Sequence, residues 1–308
     1  MSSKFQNHAT GLPTTAAVSC QVVTAEGSVQ EWEMEIVCEK ELEVSVNGIP
    51  AFRLTCTPQH LTELVLGRLR TERIIDTVDE VEHLFLCGEG NIAEVRLRED
   101  IEFRPYSGAE PTCCTGNRQL MERADSGSNY EPPKNGNSER RSDTTENGNS
   151  ESRSDTTENG DSERRFGTPE NAEAAPTHVT PVDPSPADVF ALTEQFRADS
   201  ALHRSTGGTH SCYIRFGDGR ILSFEDIGRH NALDKAVGAM LLEGMDPADC
   251  MLYTTGRVAA DMVTKAIGAG IPVMISKAVP TEEAVILAKK NGLTLICRAW
   301  PDSYTRFC

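Results

Sequence analysis

The fold is decided by residues 250–299, which read CMLYTTGRVAADMVTKAIGAGIPVMISKAVPTEEAVILAKKNGLTLICRA. Three short apolar runs alternate with two longer segments in which apolar residues recur at helical spacing. Strands joined by helices through brief links predict parallel strands with right-handed crossovers. Upstream, Asp218-Gly219 separates two further apolar runs and predicts an antiparallel hairpin. The sequence therefore predicts an α/β fold with a mixed sheet in the second half of the chain.

Towards the N-terminus, the sequence pattern of residues 20–120 predicts a smaller α+β part. Strand-like alternation precedes Asn47-Gly48, a dipeptide typical of tight hairpin turns. Residues 57–75 carry leucines at helical spacing and predict a helix, with Thr57 as its N-cap. The first half of the chain thus has its own strands and one helix.

Between these parts the chain has almost no aliphatic residues, and a 12-residue unit recurs from residue 135 (NGNSERRSDTTE, then NGNSESRSDTTE). Without large apolar residues these repeats cannot bury a core, so they predict a disordered insert. The expected division is a flexible N-terminus at 1–19, the α+β part at 20–120, the insert at 121–185 and the α/β domain at 186–308.

Composition excludes several classes of function. The 308 residues carry a net charge of −17, which argues against a nucleic-acid partner. No apolar run reaches the roughly 18 residues of a membrane span, and the N-terminus lacks the pattern of a secretory signal, so we expect a cytoplasmic protein without a membrane partner. The acidity is concentrated in the first 200 residues. The last third is close to neutral and is therefore able to hold an anionic ligand.

Ten cysteines in such a chain are expected to be reduced thiols rather than disulfides. Most lie in or beside apolar runs, where a thiol packs as a small apolar group: Cys38, Cys56, Cys87, Cys212, Cys250 and Cys297. Cys113 and Cys114 differ, because they lie in AEPTCCTGN (109–117), between a proline and a glycine. A loop of this kind exposes its thiols, and these two are the candidate nucleophiles.

Candidate ligand-binding residues follow the three parallel strands. Ligands of α/β sheets bind at the carboxyl ends of strands, where helix N-termini present free N–H groups. The candidates are Thr255, Gly256 and Arg257 after the first strand, Lys277 after the second, and Arg298, Ala299, Trp300, Pro301, Asp302 and Ser303 after the third. Their hydroxyl, guanidinium and ammonium groups suit a phosphate. Ordinary helix caps with solvated charges would give the same pattern.

Two further clusters flank the predicted hairpin. Gly207 and Gly208 precede His210, and paired glycines allow a ligand or another backbone to approach closely. After the hairpin, Arg229 and His230 belong to a dense polar junction, in which His230 is either an acid/base or phosphate-binding group or part of a buried ionic cluster. Helical spacing pairs His230 with Asp234.

A resident metal is not expected. The zinc-deaminase signature is absent, because no histidine is followed two residues later by glutamate and there is no C-x-x-C. The adjacent Cys113 and Cys114 are poorly placed to share one tetrahedral ion. The sequence therefore argues against a base-deaminase activity, which one equivalent of bound zinc would reopen.

Several strings resemble the FdhD family of formate dehydrogenase accessory proteins. The longest is EDIGRHNALDK (225–235), which is accompanied by GGTH (207–210), TTGRVAADMVTKA (254–266) and GIPVMIS (270–276). VNGIP (46–50) and TPQHLTELVLGRLRTERII (57–75) resemble the N-terminal segment of that family. The likeness covers about 20–120 and 186–308.

The resemblance implies a sulfurtransferase. Such a protein takes sulfane sulfur from a cysteine desulfurase as a cysteine persulfide and passes it to bis(molybdopterin guanine dinucleotide), the molybdenum cofactor of formate dehydrogenase. That cofactor would be a bound substrate. The resemblance also implies a cytoplasmic homodimer, and a three-layer C-terminal domain with a cytidine-deaminase-like fold that has lost its zinc site. The alternative is a non-catalytic chaperone that binds the guanine nucleotide of the cofactor.

Two departures from the family pattern affect the predicted site. The family usually carries C-G-x-C, whereas this chain has Cys113-Cys114-Thr115-Gly116. The resemblance assigns the persulfide to Cys113, with Cys114 as the substitute, and adjacent cysteines form a disulfide only in a strained ring. The nucleotide-binding stretch near the family's C-terminus corresponds to residues 298–303, which keep little of the usual pattern.

Overall fold

The computed structural model describes residues 4–103, 118–119 and 178–308. The described residues of the first half contain one α-helix, α1 (Leu61–Thr71), a short 3-10 turn at Val78–Glu80, and eight strands. These are β1 (Phe5–Asn7), β2 (Thr15–Val23), β3 (Val29–Val37), β4 (Lys40–Val46), β5 (Ile49–Cys56), β6 (Val81–Leu86), β7 (Ile92–Leu97) and β8 (Arg118–Gln119).

Six of these strands form one sheet in the order β1-β6-β7-β4-β5-β8. Asn47 and Gly48 both have positive φ angles, as the turn between β4 and β5 requires, so the predicted hairpin is confirmed. The predicted start of the helix is wrong. Helix α1 begins at Leu61 with His60 as its N-cap, because the Thr57 hydroxyl and amide both donate to the Asp226 carboxylate instead.

Among the described strands, β2 and β3 pair only with each other and form an antiparallel ribbon separate from the two larger sheets. Nine residue pairs hold it, from Thr15–Val37 at its base to Val23–Val29 at its tip. At the base, the Val37 side chain packs against Gly208. The rest of the ribbon is largely exposed.

The second half forms a mixed sheet in the order β10-β9-β11-β12-β13-β14, with helices packed on it. Its strands are β9 (His210–Arg215), β10 (Ile221–Asp226), β11 (Met251–Thr254), β12 (Val273–Ser276), β13 (Thr294–Cys297) and β14 (Thr305–Arg306). Its helices are α2 (Pro186–Asp199), α3 (Ala201–Thr206), α4 (Arg229–Leu242), α5 (Ala260–Ala269) and α6 (Glu282–Asn291). Strands β11, β12 and β13 are parallel and β9–β10 is an antiparallel hairpin, so the predicted mixed α/β class is confirmed.

One hydrophobic core joins the two halves. It contains residues of the first sheet and α1 together with residues of α4, α5 and the second sheet. Helices α1 and α4 meet at Gly67 and Gly238, where the backbones approach so closely that a side chain on either residue would overlap the other helix. The described parts of both halves therefore belong to one compact unit.

Buried ion pairs reinforce this contact. Lys235 on α4 lies 2.7 Å from Asp226 at the end of β10, and both side chains are completely buried. Asp234, also on α4, accepts hydrogen bonds from Lys265 on α5 and from Thr71 on α1. Polar residues of the junction thus connect separate elements instead of stabilising one helix face.

Two predictions fall mainly outside the described residues. Cys113 and Cys114 lie in residues 104–117, and the predicted insert is described only from residue 178. There, Val179 is buried in the core and its amide donates to the Asn291 carbonyl. None of the described helices is both long and apolar enough to cross a bilayer.

Candidate functional site

A cavity of about 500 Å³ lies at the edge of the second sheet where the parallel strands end. Thr255, Lys277 and Trp300 reach it from the loops after β11, β12 and β13. Strand β9 runs antiparallel to β11, so its first residue, His210, lies at the same edge. The remaining lining residues are Phe196, His203, Gly207, Gly208, Thr209 and Ala278. The topology therefore brings together six of the predicted residues: Gly207, Gly208, His210, Thr255, Lys277 and Trp300.

Of the residues that line the cavity, Lys277 carries the permanent positive charge. Its Nζ lies 4.9 Å from the centre of the Phe196 ring and 5.1 Å from the centre of the Trp300 ring. Both contacts are cation–π interactions, which hold the ammonium group between two aromatic faces. An ammonium beside two flat apolar surfaces suits a ligand that combines an anionic group with an aromatic ring.

Backbone amides near the cavity already donate hydrogen bonds to other groups of the protein. The amides of Thr255 and Lys277 donate to the carbonyls of Ser211 and Thr254, and the amide of Ala278 donates to the Ser276 hydroxyl. The Gly208 amide donates to the Thr206 hydroxyl. An anion in this cavity would therefore be bound chiefly by side chains, rather than by free helix-end amides as the sequence pattern suggested.

Glu225 fixes the glycine loop and the start of α3. Its carboxylate accepts hydrogen bonds from the amides of Leu202 and His203 and from the Thr209 hydroxyl, at 2.8–3.2 Å. The His203 Nδ1 donates to the Thr209 carbonyl at 2.7 Å. Glu225 is thus a positioning residue, which holds the loop of Gly207 and Gly208 open beside the cavity.

The environment of His210 disfavours its charged form. Burial lowers the pKa of His210, and the nearby charges of Arg229 and His203 lower it further. The folded protein therefore keeps this imidazole neutral at pH values where the unfolded chain already binds a proton. As pH falls through the ordinary pKa of histidine, about 6.5, the unfolded state gains protons and the folded state loses stability.

Replacing His210 by glutamine should weaken this pH dependence. We expect the free energy of unfolding of the wild type to fall between about pH 7.5 and 5.5, and the fall to be smaller in His210→Gln. Urea unfolding at a series of pH values measures both curves. Parallel curves for the two proteins would contradict the assignment of the pH dependence to His210.

Arg229 and His230 lie beside the cavity residues but contact a different partner. His230 is almost fully buried, and its Nε2 lies 2.7 Å from the Asp261 carboxylate at the start of α5. Arg229 Nη2 lies 3.7 Å from the same carboxylate, and its side chain packs over Gly256. Although burial opposes the effect, His230 and Arg229 hold the pKa of Asp261 below its usual range. This geometry corresponds to the ionic-cluster alternative for His230.

Arg257 and most of residues 298–303, which were also predicted to bind a ligand, do not line the cavity. Arg257 and Arg298 are exposed, and Arg298 has a positive φ angle directly after β13. Ala299 is buried in a small apolar cluster. Pro301, Asp302 and Ser303 are exposed, in a turn closed by the Trp300 amide and the Ser303 carbonyl. From residues 298–303, Trp300 alone lines the cavity.

Four cavity residues were not among the candidates. Phe196, His203, Thr209 and Ala278 line the cavity beside the predicted set. Thr209 and Ala278 are neighbours of predicted residues, so proximity alone would have found them. The sequence shows Phe196 only as part of the apolar stripe of α2, and it gives no signal that this helix ends at the cavity.

The described thiols divide into unreactive and accessible groups. Burial raises the pKa of Cys56, Cys250 and Cys297 to about 12, and it also raises the pKa of Cys212. Such thiols are poor nucleophiles. Cys87 is half-buried, and although burial opposes the effect, backbone amides of residues 89–92 hold its pKa below its usual range. No cysteine is among the residues that line the cavity in the described part of the chain.

Comparison with known proteins adds a family match. The sequence profile described as "FdhD/NarQ family" matches residues 37–143 and 137–308. The chain is 27% identical over 274 residues to the sulfur carrier protein FdhD of Bacillus subtilis, covering 88% of this chain and 87% of that one. It is 28% identical over 276 residues to the sulfur carrier protein FdhD of Geobacillus kaustophilus, covering 88% and 86%.

The fold is also similar to a solved structure. It matches the crystal structure of a formate dehydrogenase accessory protein from Desulfotalea psychrophila with a TM-score of 0.62 and 21% sequence identity. The match covers 96% of this chain and 97% of the other. At this identity the likeness concerns the fold.

Proposed function

Because this chain belongs to the FdhD/NarQ family, we propose that it is a sulfur carrier that supports formate dehydrogenase. In this proposal it acts in the cytoplasm as a homodimeric sulfurtransferase, which accepts sulfur from a cysteine desulfurase and delivers it to bis(molybdopterin guanine dinucleotide). The observation that carries the proposal is the cavity at the strand ends, where family-like segments bring Lys277 between two aromatic rings.

The loading step needs an accessible thiolate. The Cys113 thiolate attacks the terminal sulfur of the desulfurase persulfide, a new S–S bond forms on Cys113, and the desulfurase cysteine leaves as a thiolate. Release of the carried sulfur as sulfide takes two electrons, which a second thiol supplies by forming a disulfide with Cys113. Four of the ten cysteines are buried with raised pKa values, which supports a carrier outside the core.

The cavity has the chemistry to hold the nucleotide end of the substrate. Flat aromatic side chains such as Trp300 and Phe196 can stack on a purine, and the Lys277 ammonium can pair with a phosphate. Its volume lies within the usual range for small-molecule sites. In this proposal the cavity binds and positions the nucleotide end of the substrate, whereas the persulfide forms on a thiol outside the cavity lining.

Removing the Lys277 charge should weaken nucleotide binding. We expect Lys277→Met to raise the dissociation constant for GDP about tenfold or more, because a charge-assisted contact with phosphate is lost. Isothermal titration calorimetry measures the change, with Lys289→Met at an exposed position on α6 as the matched control. A change below about twofold would remove Lys277 from the site, and no GDP binding by the wild type would overturn the nucleotide part of the proposal.

The location of the persulfide tests the carrier step. The full-length protein is incubated with a cysteine desulfurase and L-cysteine, and its peptides are searched by mass spectrometry for the added mass of one sulfur atom. We expect the addition on the Cys113 peptide, and its loss in Cys113→Ala. Cys87→Ala is the matched control, because Cys87 is an accessible thiol with a lowered pKa that the proposal does not use.

The outcomes are distinct. Full labelling of Cys113→Ala that disappears in Cys114→Ala would transfer the role to Cys114. Labelling that disappears in Cys87→Ala would place the carrier on the turn between β6 and β7. Absence of labelling in the wild type would overturn the carrier step.

The adjacent cysteines favour one alternative, a chaperone that holds the molybdenum cofactor without transferring sulfur. It would bind the guanine nucleotide in the same cavity and would not need Cys113 or Cys114. The double variant Cys113→Ala/Cys114→Ala decides between the two when it is expressed in a strain lacking this protein. Normal formate dehydrogenase activity would favour the chaperone, and loss of activity would favour the carrier.

A further inference from the structure

The cavity at the ends of the parallel strands offers few groups to a phosphate. The amides of its loops donate to other groups of the protein. The Thr209 hydroxyl donates to Glu225, and the Thr255 hydroxyl accepts a hydrogen bond from the Ser211 amide. Among the described residues, the lining side chains that retain polar atoms for a ligand are His203, His210, Lys277 and Trp300. Of these four, Lys277 alone carries a permanent positive charge.

His210 has an unused imidazole at the wall of this cavity. It is the first residue of β9 and is partly buried. No described residue forms a hydrogen bond with either of its ring nitrogens, whereas His203 uses Nδ1 to donate to the Thr209 carbonyl. Polar groups removed from water normally have hydrogen-bond partners. Both ring nitrogens of His210 are therefore available to a ligand in the cavity.

The surroundings of His210 are mostly cationic. The charged and titratable groups that face it come from four elements: Arg229 and His230 at the start of α4, His203 on α3, Asp226 at the end of β10, and Lys277 after β12. Burial lowers the pKa of His210 most, and Arg229 and His203 lower it further, whereas Asp226 opposes them. The ligand-free protein therefore keeps His210 neutral near pH 7. A bound anion would reverse this balance, because it attracts the proton that the cations repel.

We propose that His210 is the second phosphate-binding group of the cavity, beside Lys277, and that it binds the phosphate as an imidazolium. The imidazolium forms when the ligand binds, by uptake of one proton from solution onto a ring nitrogen. An N–H group of the charged ring then donates to a phosphate oxygen. This inference rests on the proposed nucleotide site and deepens it, because it names a second group that holds the phosphate and the protonation state of that group.

A titratable residue suits this position better than a permanent cation. A nucleoside diphosphate carries at least two negative charges, and Lys277 offsets one of them. A charged His210 offsets another, through a hydrogen bond about twice as strong as a neutral one. A permanent cation here would face Arg229 in the ligand-free protein, with no phosphate to compensate it. Histidine acquires its charge only when the phosphate is present. The cavity thereby favours a phosphorylated ligand over an uncharged nucleoside.

The proton uptake makes nucleotide affinity depend on pH. The phosphate raises the pKa of His210 in the complex, because an opposite charge within about 4–6 Å favours the imidazolium. Affinity therefore rises as pH falls from above the pKa of the complex towards the lower pKa of the ligand-free protein. At still lower pH, His210 is charged before the ligand binds, and a further decrease in pH adds nothing to the affinity.

Titration calorimetry of the full chain with GDP measures the uptake directly. At about pH 7.5, the heats in PIPES and in Tris differ in proportion to the protons taken from the buffer. We expect about half a proton or more for the wild type and less than about 0.1 proton for His210→Gln. Between about pH 8 and pH 7, the affinity of the wild type should rise about threefold or more, and that of His210→Gln should change by less than about 1.5-fold.

Two further variants separate protonation from a general disturbance of the cavity. His8→Gln is the matched control, because His8 is exposed and does not line the cavity, and it should keep the uptake of the wild type. His210→Lys supplies a cation that stays charged throughout this pH range, since the ordinary pKa of lysine is about 10.4. It should bind GDP without proton uptake and with little dependence on pH.

The outcomes distinguish this inference from the proposed function. GDP binding by the wild type without proton uptake, or with equal uptake in His210→Gln, would overturn the inference and leave the nucleotide site intact. Uptake that persists in His210→Gln but disappears in His203→Gln would transfer the proton to His203 and would also overturn it. Absence of GDP binding by the wild type at every pH would overturn the nucleotide part of the proposed function itself.

Discussion

Replacing Gly238 by alanine should lower the free energy of unfolding by about 3 kcal/mol or more. A Cβ on Gly238 would lie 1.9 Å from the Glu63 carbonyl oxygen on α1, and the atoms it meets belong to the backbone. The two helices must therefore move apart, which disturbs the core that joins both halves. Alanine is favoured over glycine inside a helix by only about 1 kcal/mol, so the overlap outweighs the gain in helix propensity.

Urea unfolding of Gly238→Ala measures this effect through the shift of the midpoint. Gly88→Ala is the control, because its new methyl group would meet nothing closer than 3.7 Å and should change stability little. Wild-type stability in Gly238→Ala would mean that α1 and α4 do not touch as described. The reciprocal change, Gly67→Ala, should be equally severe, since its Cβ would lie 1.7 Å from the Asp234 carbonyl oxygen.

Replacing Lys235 by methionine should lower the free energy of unfolding by about 3–5 kcal/mol. The Lys235 ammonium lies 2.7 Å from both the Asp226 carboxylate and the Thr57 hydroxyl, and it is completely buried. Methionine fills a similar volume but leaves the buried Asp226 without its cationic partner. Removing one member of a buried pair costs far more than removing both, because an uncompensated charge remains.

A double-mutant cycle tests this explanation. Asp226→Asn/Lys235→Met should be less destabilised than the sum of the two single changes, since neither charge then remains buried alone. Lys289→Met, at an exposed position on α6, serves as the control and should stay within about 0.5 kcal/mol of the wild type. A loss below about 1 kcal/mol in Lys235→Met would contradict the proposed cost of the unpaired Asp226 charge.

Local patterns predicted the second half of the fold well. The alternation of apolar runs and helical segments anticipated β11 to β13 with α5 and α6, and Asp218-Gly219 anticipated the β9–β10 hairpin. The predicted start of α1 was wrong, because Thr57 donates hydrogen bonds to Asp226, a residue 169 positions away in the sequence. Helical spacing likewise carries no information about partners on other elements, such as Lys265 on α5 and Thr71 on α1, which both donate to Asp234.

The site was predictable to the extent that topology determines it. Residues that directly follow parallel strands must meet at one sheet edge, which is why Thr255, Lys277 and Trp300 converge. Topology does not determine the direction in which a side chain points. Arg257 and Arg298 follow the same strands but face solvent, and Phe196 enters from a helix whose docking position depends on tertiary packing.

The close contact of α1 with α4 also constrains how the sequence can vary. Helix α4 begins at Arg229, beside Gly256 and near His210, so any substitution that displaces α1 is transmitted to the residues behind the cavity. If the cavity binds a nucleotide as proposed, residues 40–103 can therefore affect its affinity although none of them lines the cavity. Second-site revertants of a weakened binding site should be found in both halves of the gene, concentrated where these two helices face each other.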